Sequence, residues 1–285
     1  MLTINTSDIS PLELQGYLQS AIAPRPICLA STIDKEGQVN LSPFSYFNIF
    51  SMNPPICIFS PARRLRDNTT KHTLENLKEV PECVINIVNY AMVQQVSLSS
   101  CEYTKDINEF AKAGFTQIPS DLVTPPRVAE SPIQLECTVA QIIALGEKAG
   151  AGNLVLAEIK KIHIAESVLN AQNKIDQTKL DLVARLGGDW YARITEQNLF
   201  EVTKPNTQLG MGFDMLPKFI RDHTGLSNNE KAQLANCSLL PESVAQNADL
   251  SLHLSDSNID AIKKELADNN AQAAWAIIEK STAHQ

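Results

Sequence analysis

The residues best suited to chemistry gather in two stretches. Residues 60–73 read SPARRLRDNTTKHT and set Arg63, Arg64, Arg66 and Lys71 against Asp67 alone, inside a chain whose 24 basic and 32 acidic residues leave a net charge of -8. A helix predicted to begin near Thr73 would aim its free N–H groups at the same place, a second attraction for an anion. Together these groups suit one phosphate dianion. A solvated basic loop is the other reading of the same cluster.

Residues 40–48 read NLSPFSYFN. The hydroxyls of Ser42, Ser45 and Tyr46 and the amide of Asn48 are interleaved with Phe44 and Phe47. Hydroxyls beside aromatics suit a ligand with a flat ring and a polar tail; a hydroxyl-capped turn over packed rings is the alternative.

These stretches have to be held by short strands. Twelve of the 15 prolines fall at or before Pro132 and punctuate apolar runs at 27–33, 38–41, 56–59, 83–88, 133–143 and 154–164. Proline at this density favours strands and loops over long helices. Residues 34–37, DKEG, read as a hairpin connection between the first two runs. Ile133, Leu135, Cys137 and Val139 alternate with Gln134, Glu136 and Thr138, the period of a strand with one buried face. Helices are expected at 73–79 and 107–113, the latter stopped by Gly114, with a weaker pattern at 90–98. The implied class is mainly β, an antiparallel barrel with inserted helices, not a doubly wound parallel sheet. Composition shifts near Pro205. Helical patterns follow at 215–222, 229–235, 258–268 and 271–279, so residues 1–204 read as the core domain and 205–285 as a helical extension packing on the barrel or on a second copy. Ile259, Ile262 and Leu266 are spaced for one helical face.

Several chemistries are set aside. The negative charge disfavours nucleic acid and anionic membrane surfaces. No window approaches the roughly 20 apolar residues of a membrane span, and the N-terminus has no basic-then-apolar leader, so a cytoplasmic protein is expected. The six cysteines are scattered and form no zinc or CxxC spacing; buried reduced thiols are the simplest reading. No two histidines sit at a ligand spacing, and no HExxH, GxSxG or GxxxxGK[ST] motif occurs. Gly150-Ala151-Gly152 lacks the third glycine of a dinucleotide fingerprint and reads as a turn. Neither a catalytic dyad nor a metal site is expected.

At this point several ordered motifs resemble one family. RPICLASTIDKEGQVNLSPFSYFN, PPICIFSPARR and KHTLENLKEVPECVINIV, followed by EFAKAGF, PPRVAESPIQLEC and LDLVARLGGDWYAR, are similar to the flavin reductase-like FMN-binding split-barrel proteins, the flavoredoxin branch, over roughly residues 10–205. The resemblance implies an antiparallel Greek-key split β-barrel forming a homodimer, with FMN near the interface. It places Ser42, Phe44, Ser45, Tyr46, Phe47 and Asn48 along the flavin ring and ribityl chain. Ser60, Arg63, Arg64, Lys71, His72 and Thr73 fall around the phosphate, and Arg25 near the flavin or the dimer seam. Arg185 and the following Gly187-Gly188-Asp189-Trp190-Tyr191 match the closing RxGGxxY signature, with a structural role first and a substrate-side wall second. The usual KDT reads KHT here, so His72 adds a donor near the phosphate. Gly152-Asn153 stands where short-chain flavin reductases carry a histidine. The activity implied is FMN-dependent oxidoreduction of flavin reductase type, from NAD(P)H to a small acceptor; the alternative is an FMN-binding electron-transfer protein without direct NAD(P)H use.

Overall fold

The computed structural model describes residues 1–202, 209–246 and 254–282. The chain divides into two compact units, Met1–Leu199 and Phe200–Gln285. The composition boundary at Pro205 lies outside the described residues.

Twelve strands form in the first unit: β1 (Arg25–Pro26), β2 (Cys28–Ile33), β3 (Val39–Phe44), β4 (Phe47–Met52), β5 (Pro55–Phe59), β6 (Glu82–Ile87), β7 (Gln117–Ile118), β8 (Arg127–Val128), β9 (Ile133–Ala144), β10 (Asn153–Ile164), β11 (Val183–Arg185) and β12 (Tyr191–Arg193). Seven of them make one sheet in the order β3-β2-β6-β9-β10-β5-β4, antiparallel throughout. The two edge strands, β3 and β4, are consecutive in the chain and separated only by Ser45 and Tyr46. A link of two residues cannot span an open seven-stranded sheet, so the sheet must curl until its edges meet. Register shifts in β9–β10 and β4–β5 supply the local bending that closure requires. The product is the expected antiparallel split barrel, its seam lying between β3 and β4. Residues 40–48 are therefore most of β3, a two-residue link and the start of β4, not a hydroxyl-capped turn.

Alternation in β2 explains its unbroken apolar run. Cys28 and Ala30 face the barrel interior with Phe44, Cys57, Phe59, Cys83, Ile85, Cys137, Val155 and Ala157. Ile27 and Leu29 face outward onto α3 (Val93–Leu98) and α4 (Glu109–Ala113) through Met92, Val96 and Phe110. Four of the six cysteines are thus buried free thiols, while Cys101 is exposed and Cys237 half-buried. β9 alternates as predicted, but its polar face is not solvated. Glu136 is fully buried and accepts from the N–H of Asp121 (2.9 Å), the N–H of Leu122 (2.6 Å) and the His163 ring (2.6 Å).

A helix unannounced by the hydrophobic pattern, α1 (Pro11–Ala21), precedes the barrel; Ser10 caps it in a capping box with Glu13, and none of its residues is buried. α2 (His72–Glu79) packs Leu74 and Leu77 inward, and α5 (Gln177–Leu180) precedes β11. The second unit contains α6 (Lys218–Arg221), α7 (Asn228–Leu234), α8 (Glu242–Gln246), α9 (Asp256–Ala267) and α10 (Ala271–Thr282). Its own core includes Ile220, Leu234, Trp275 and Ile278, and the α9 stripe of Ile259, Ile262 and Leu266 packs into it. The buried indole N–H of Trp275 donates to the Leu234 carbonyl at 3.1 Å. Among the described residues, no helix is long and apolar enough to cross a membrane.

Candidate cofactor site

β5 delivers Ser60 to the seam, where its N–H donates to the Tyr46 carbonyl at 2.9 Å. The basic turn that follows is clamped to the β9–β10 connection. The N–H of Arg63 donates to the Ala151 carbonyl (2.9 Å), and that of Gly150 returns to the Arg63 carbonyl (3.1 Å). Gly152 lets this connection pass close to Ser60, since a Cβ would stand 2.7 Å from its hydroxyl.

The arginines of this turn mostly shape it. Arg63 donates to the side-chain and main-chain oxygens of Asn68 at 2.7 and 2.6 Å, and Asn68 holds the left-handed φ of 58°. Arg64 donates to the Thr69 hydroxyl and the Thr70 carbonyl, and pairs with Glu102 at 3.4 Å. Arg66 reaches Glu102 at 2.8 Å and Asp67 at 3.1 Å. Glu102, distant in sequence, therefore offsets part of the positive charge that residues 60–73 display on their own.

Lys71 is different. Among the described residues it makes no ion pair, and its ammonium sits 5.7 Å from the centroid of the Phe44 ring. Burial first, and the neighbouring Arg64 charge second, hold its pKa below the usual lysine value. At the same corner α2 begins with no side-chain cap. The N–H groups of Leu74 and Glu75 return to the Lys71 carbonyl, and those ahead of them are the usual unsatisfied donors of a helix start. His72 is half-buried there, its pKa depressed chiefly by burial.

Thr73 faces inward instead. Its hydroxyl is fully buried and donates to the Asn40 side-chain oxygen Oδ1 at 2.7 Å. The Asn40 amide donates in turn to Glu109 at 2.8 Å, and the Leu41 N–H donates to the other Glu109 oxygen at 3.0 Å. Burial raises the Glu109 pKa against these hydrogen bonds. This chain ties the first turn of α2 to β3 and α4.

On the ring side, Phe44 and Phe47 belong to the barrel core, Phe44 lying 5.1 Å from Phe59 between ring centroids. Ser45 and Tyr46 form the seam link, and the Tyr46 hydroxyl accepts from Gln19 of α1 at 3.2 Å. Ser42 sits in β3 opposite Ala30, and the Asn48 side-chain oxygen Oδ1 accepts from the Ile49 N–H at 2.8 Å. Arg25 is 7% exposed and donates to the carbonyls of Gln19 (2.5 Å), Ile22 (2.7 Å) and Leu186 (2.9 Å), yet its buried Nε has no acceptor. An orphan guanidinium N–H costs about 1–3 kcal/mol unless something accepts from it. The unpaired Lys71, the unsatisfied start of α2 and this Nε, all donors without acceptors, fit a cofactor carrying a phosphate and a ring with acceptor atoms, as FMN does.

Sequence spacing did not foretell Glu102, Glu109 or Asn40 as supports, since each acts across a long stretch of chain. It also missed Asp121, Glu136 and His163, whose ligating atoms lie within 4.8 Å of one another. Lys161 already occupies the cationic place there, 2.5 Å from Asp121.

Comparison with known proteins bears on the fold and the family. A profile of the flavin reductase like domain matches residues 20–179. An uncharacterised protein of Halalkalibacterium halodurans is 33% identical over 206 residues, which cover 72% of this chain and 97% of the relative. Nitrilotriacetate monooxygenase component B from Bacillus cereus superposes with a TM-score of 0.66 at 30% identity, covering 71% of this chain and 98% of that one. The 2-nitrobenzoate 2-nitroreductase of Pseudomonas fluorescens gives 0.63 at 26% identity, covering 74% and 100%.

Proposed function

The chain belongs to the flavin reductase-like domain family, and from that premise we propose that it is an FMN-dependent oxidoreductase of flavin reductase type, carrying electrons from NAD(P)H to a small acceptor. The observation that carries this reading is the half-buried Lys71 ammonium, which among the described residues forms no ion pair, beside the uncapped start of α2. Bound FMN would supply the redox chemistry, accepting a hydride and releasing one or two electrons. The residues of the chain then have only to bind and orient. Lys71, Ser60, His72 and the first N–H groups of α2 hold the phosphate. Arg63 and Arg64 keep the turn in shape, and Thr73 fixes α2 through Asn40 and Glu109. Ser42, Ser45, Tyr46 and Asn48 present polar groups along the seam, over the floor that Phe44 and Phe47 provide. Arg25 offers its free Nε.

The same reading includes a homodimer. β4 is a sheet edge whose Ile49, Phe50 and Met52 are exposed, and α1 exposes Leu12, Tyr17 and Leu18. Exposed apolar side chains along an unpaired edge favour a second copy as cover.

A specific observation favours the second reading, an FMN-binding electron-transfer protein without direct NAD(P)H use. Asn153 is buried and its amide donates to the Pro61 carbonyl at 2.9 Å, which ties it to the entry of the basic turn where short-chain flavin reductases carry a histidine. The visible spectrum of the purified protein, before and after anaerobic NADH or NADPH, tests both. Bleaching of a bound flavin supports the reductase. Bound flavin that neither nucleotide reduces leaves the carrier, and failure to bind FMN removes both.

A further inference from the structure

A cavity of about 700 Å³ opens beside the seam, between α3 and the β11–β12 hairpin. Its walls include Phe44, Ser45, Tyr90, Arg185, Tyr191 and Arg193. The volume suits a small organic molecule, and the Phe44–Ser45 wall belongs to the strand end assigned above to the flavin ring.

The two arginines of the cavity are not equivalent. Arg193 is neutralised by Asp181 through two hydrogen bonds of 2.7 and 2.9 Å, and lies 3.7 Å from the Tyr90 ring centroid. Arg185 donates to the Trp190 carbonyl at 3.1 Å and lies 4.6 Å from the Tyr191 ring centroid, but among the described residues it has no carboxylate partner. Asp189 also lines the cavity and forms no ion pair with either arginine.

The β1–β11 register sharpens this. Arg25 and Arg185 are direct cross-strand partners, and like charges in that position repel. Arg25 is buried, and after burial itself the Arg185 charge helps to lower its pKa, against the opposing influence of Tyr46. Arg25 spends its guanidinium on main-chain carbonyls, which leaves Arg185, at the wall of a ring-sized cavity flanked by tyrosines, as the cation that a bound anion would complete.

We propose that this cavity is the substrate compartment and that it selects planar molecules bearing an anionic group, with Arg185 as the selecting residue and Tyr90 and Tyr191 as the flanking rings. The assignment to a redox substrate rests on the flavin reading above; the anion preference rests on the cavity's own residues. Two sources share that chemistry, a carboxylate on an aromatic ring and the 2′-phosphate of a dinucleotide.

The test uses 4-fluorobenzoate followed by ¹⁹F NMR, titrated into the full chain with and without FMN. Uncharged 4-fluorobenzamide is the control, and 2′,5′-ADP and 5′-AMP are competitors. Fluorobenzoate is expected to bind at least about tenfold more tightly than the benzamide. Arg185→Gln should erase that preference, whereas Arg185→Lys, which keeps the charge but loses the planar fork, should retain part of it. Fluorobenzoate displaced by 2′,5′-ADP but not by 5′-AMP would assign the compartment to the phosphorylated dinucleotide, and displacement by neither to ring carboxylates. Equal binding of acid and amide, or unchanged binding in a folded Arg185→Gln protein, overturns the proposal. If the chain fails to bind FMN yet selects fluorobenzoate through Arg185, the compartment stands and the flavin reading falls.

Discussion

The Lys71 ammonium lies over the Phe44 ring, 5.7 Å from its centroid, so one residue of the basic turn touches the aromatic floor of the seam. This contact joins the two sequence stretches that carry polar chemistry, and it does so with a partly buried cation that, among the described residues, forms no ion pair. Replacing it separates ligand binding from folding. Lys71→Met is expected to weaken FMN binding by about tenfold or more while leaving thermal stability equal or higher, because an unpaired, partly desolvated charge is removed. Flavin fluorescence titration and a melting curve read the two effects.

Glu109 gives a pH dependence of definite sign. Its carboxyl pKa is raised above the ordinary 4.5, chiefly by burial. The folded state therefore binds its proton more readily than the unfolded state does. The contribution to stability is fully present below about pH 4.5 and is lost as pH rises through the folded value. Glu109→Gln should remove that slope. It should also cost about 1–3 kcal/mol at neutral pH, since both carboxylate oxygens accept from buried donors and an amide can serve only one. Urea unfolding between pH 4 and 8 measures both.

Gly152→Ala would bring a methyl group to 2.7 Å from the Ser60 hydroxyl. The serine hydroxyl must swing away, and with it a polar group assigned to the phosphate. FMN affinity is expected to fall by about tenfold, with the far-ultraviolet circular dichroism unchanged. Calorimetric titration with FMN checks this.

Phe50 is 64% exposed on the β4 edge. Phe50→Asp is expected to convert a dimer into a monomer, since a charge at an apolar contact is desolvated without a partner. Analytical ultracentrifugation decides it. A variant as dimeric as the parent would place the interface elsewhere.

Much of the barrel can be read from the chain because its inward residues alternate. β9 declares itself through Leu135, Cys137 and Val139, and β5 through its short apolar run. β4 is not legible in the same way. Phe47 packs into the core while Ile49 and Phe50 face outward on an edge, so period two gives no clean contrast, and the neighbouring hydroxyls suggest a loop. α1 buries nothing and so shows no useful stripe, although Ser10, Pro11 and Glu13 carry a legible start signal. At the site, the cations are visible as a cluster, but their division of labour is not. That Arg63 and Arg64 brace a turn while Lys71 stands free depends on Asn68, Thr70 and Glu102 meeting them in space. Arg185 and Arg25 likewise become a pair only through strand register.

The two-residue link between the edge strands has a consequence for how the molecule forms. β3 and β4 are neighbours in the chain, yet each pairs in the sheet only with its own inner partner, and the ladder that joins them runs through β6, β9 and β10, contributed by residues far downstream. The link can take its final shape only after those distant pairings exist, which makes it a late event governed by long-range contacts. A reporter at Tyr46 should accordingly follow the slowest phase of refolding, with the interior of the barrel assembled before its seam is complete.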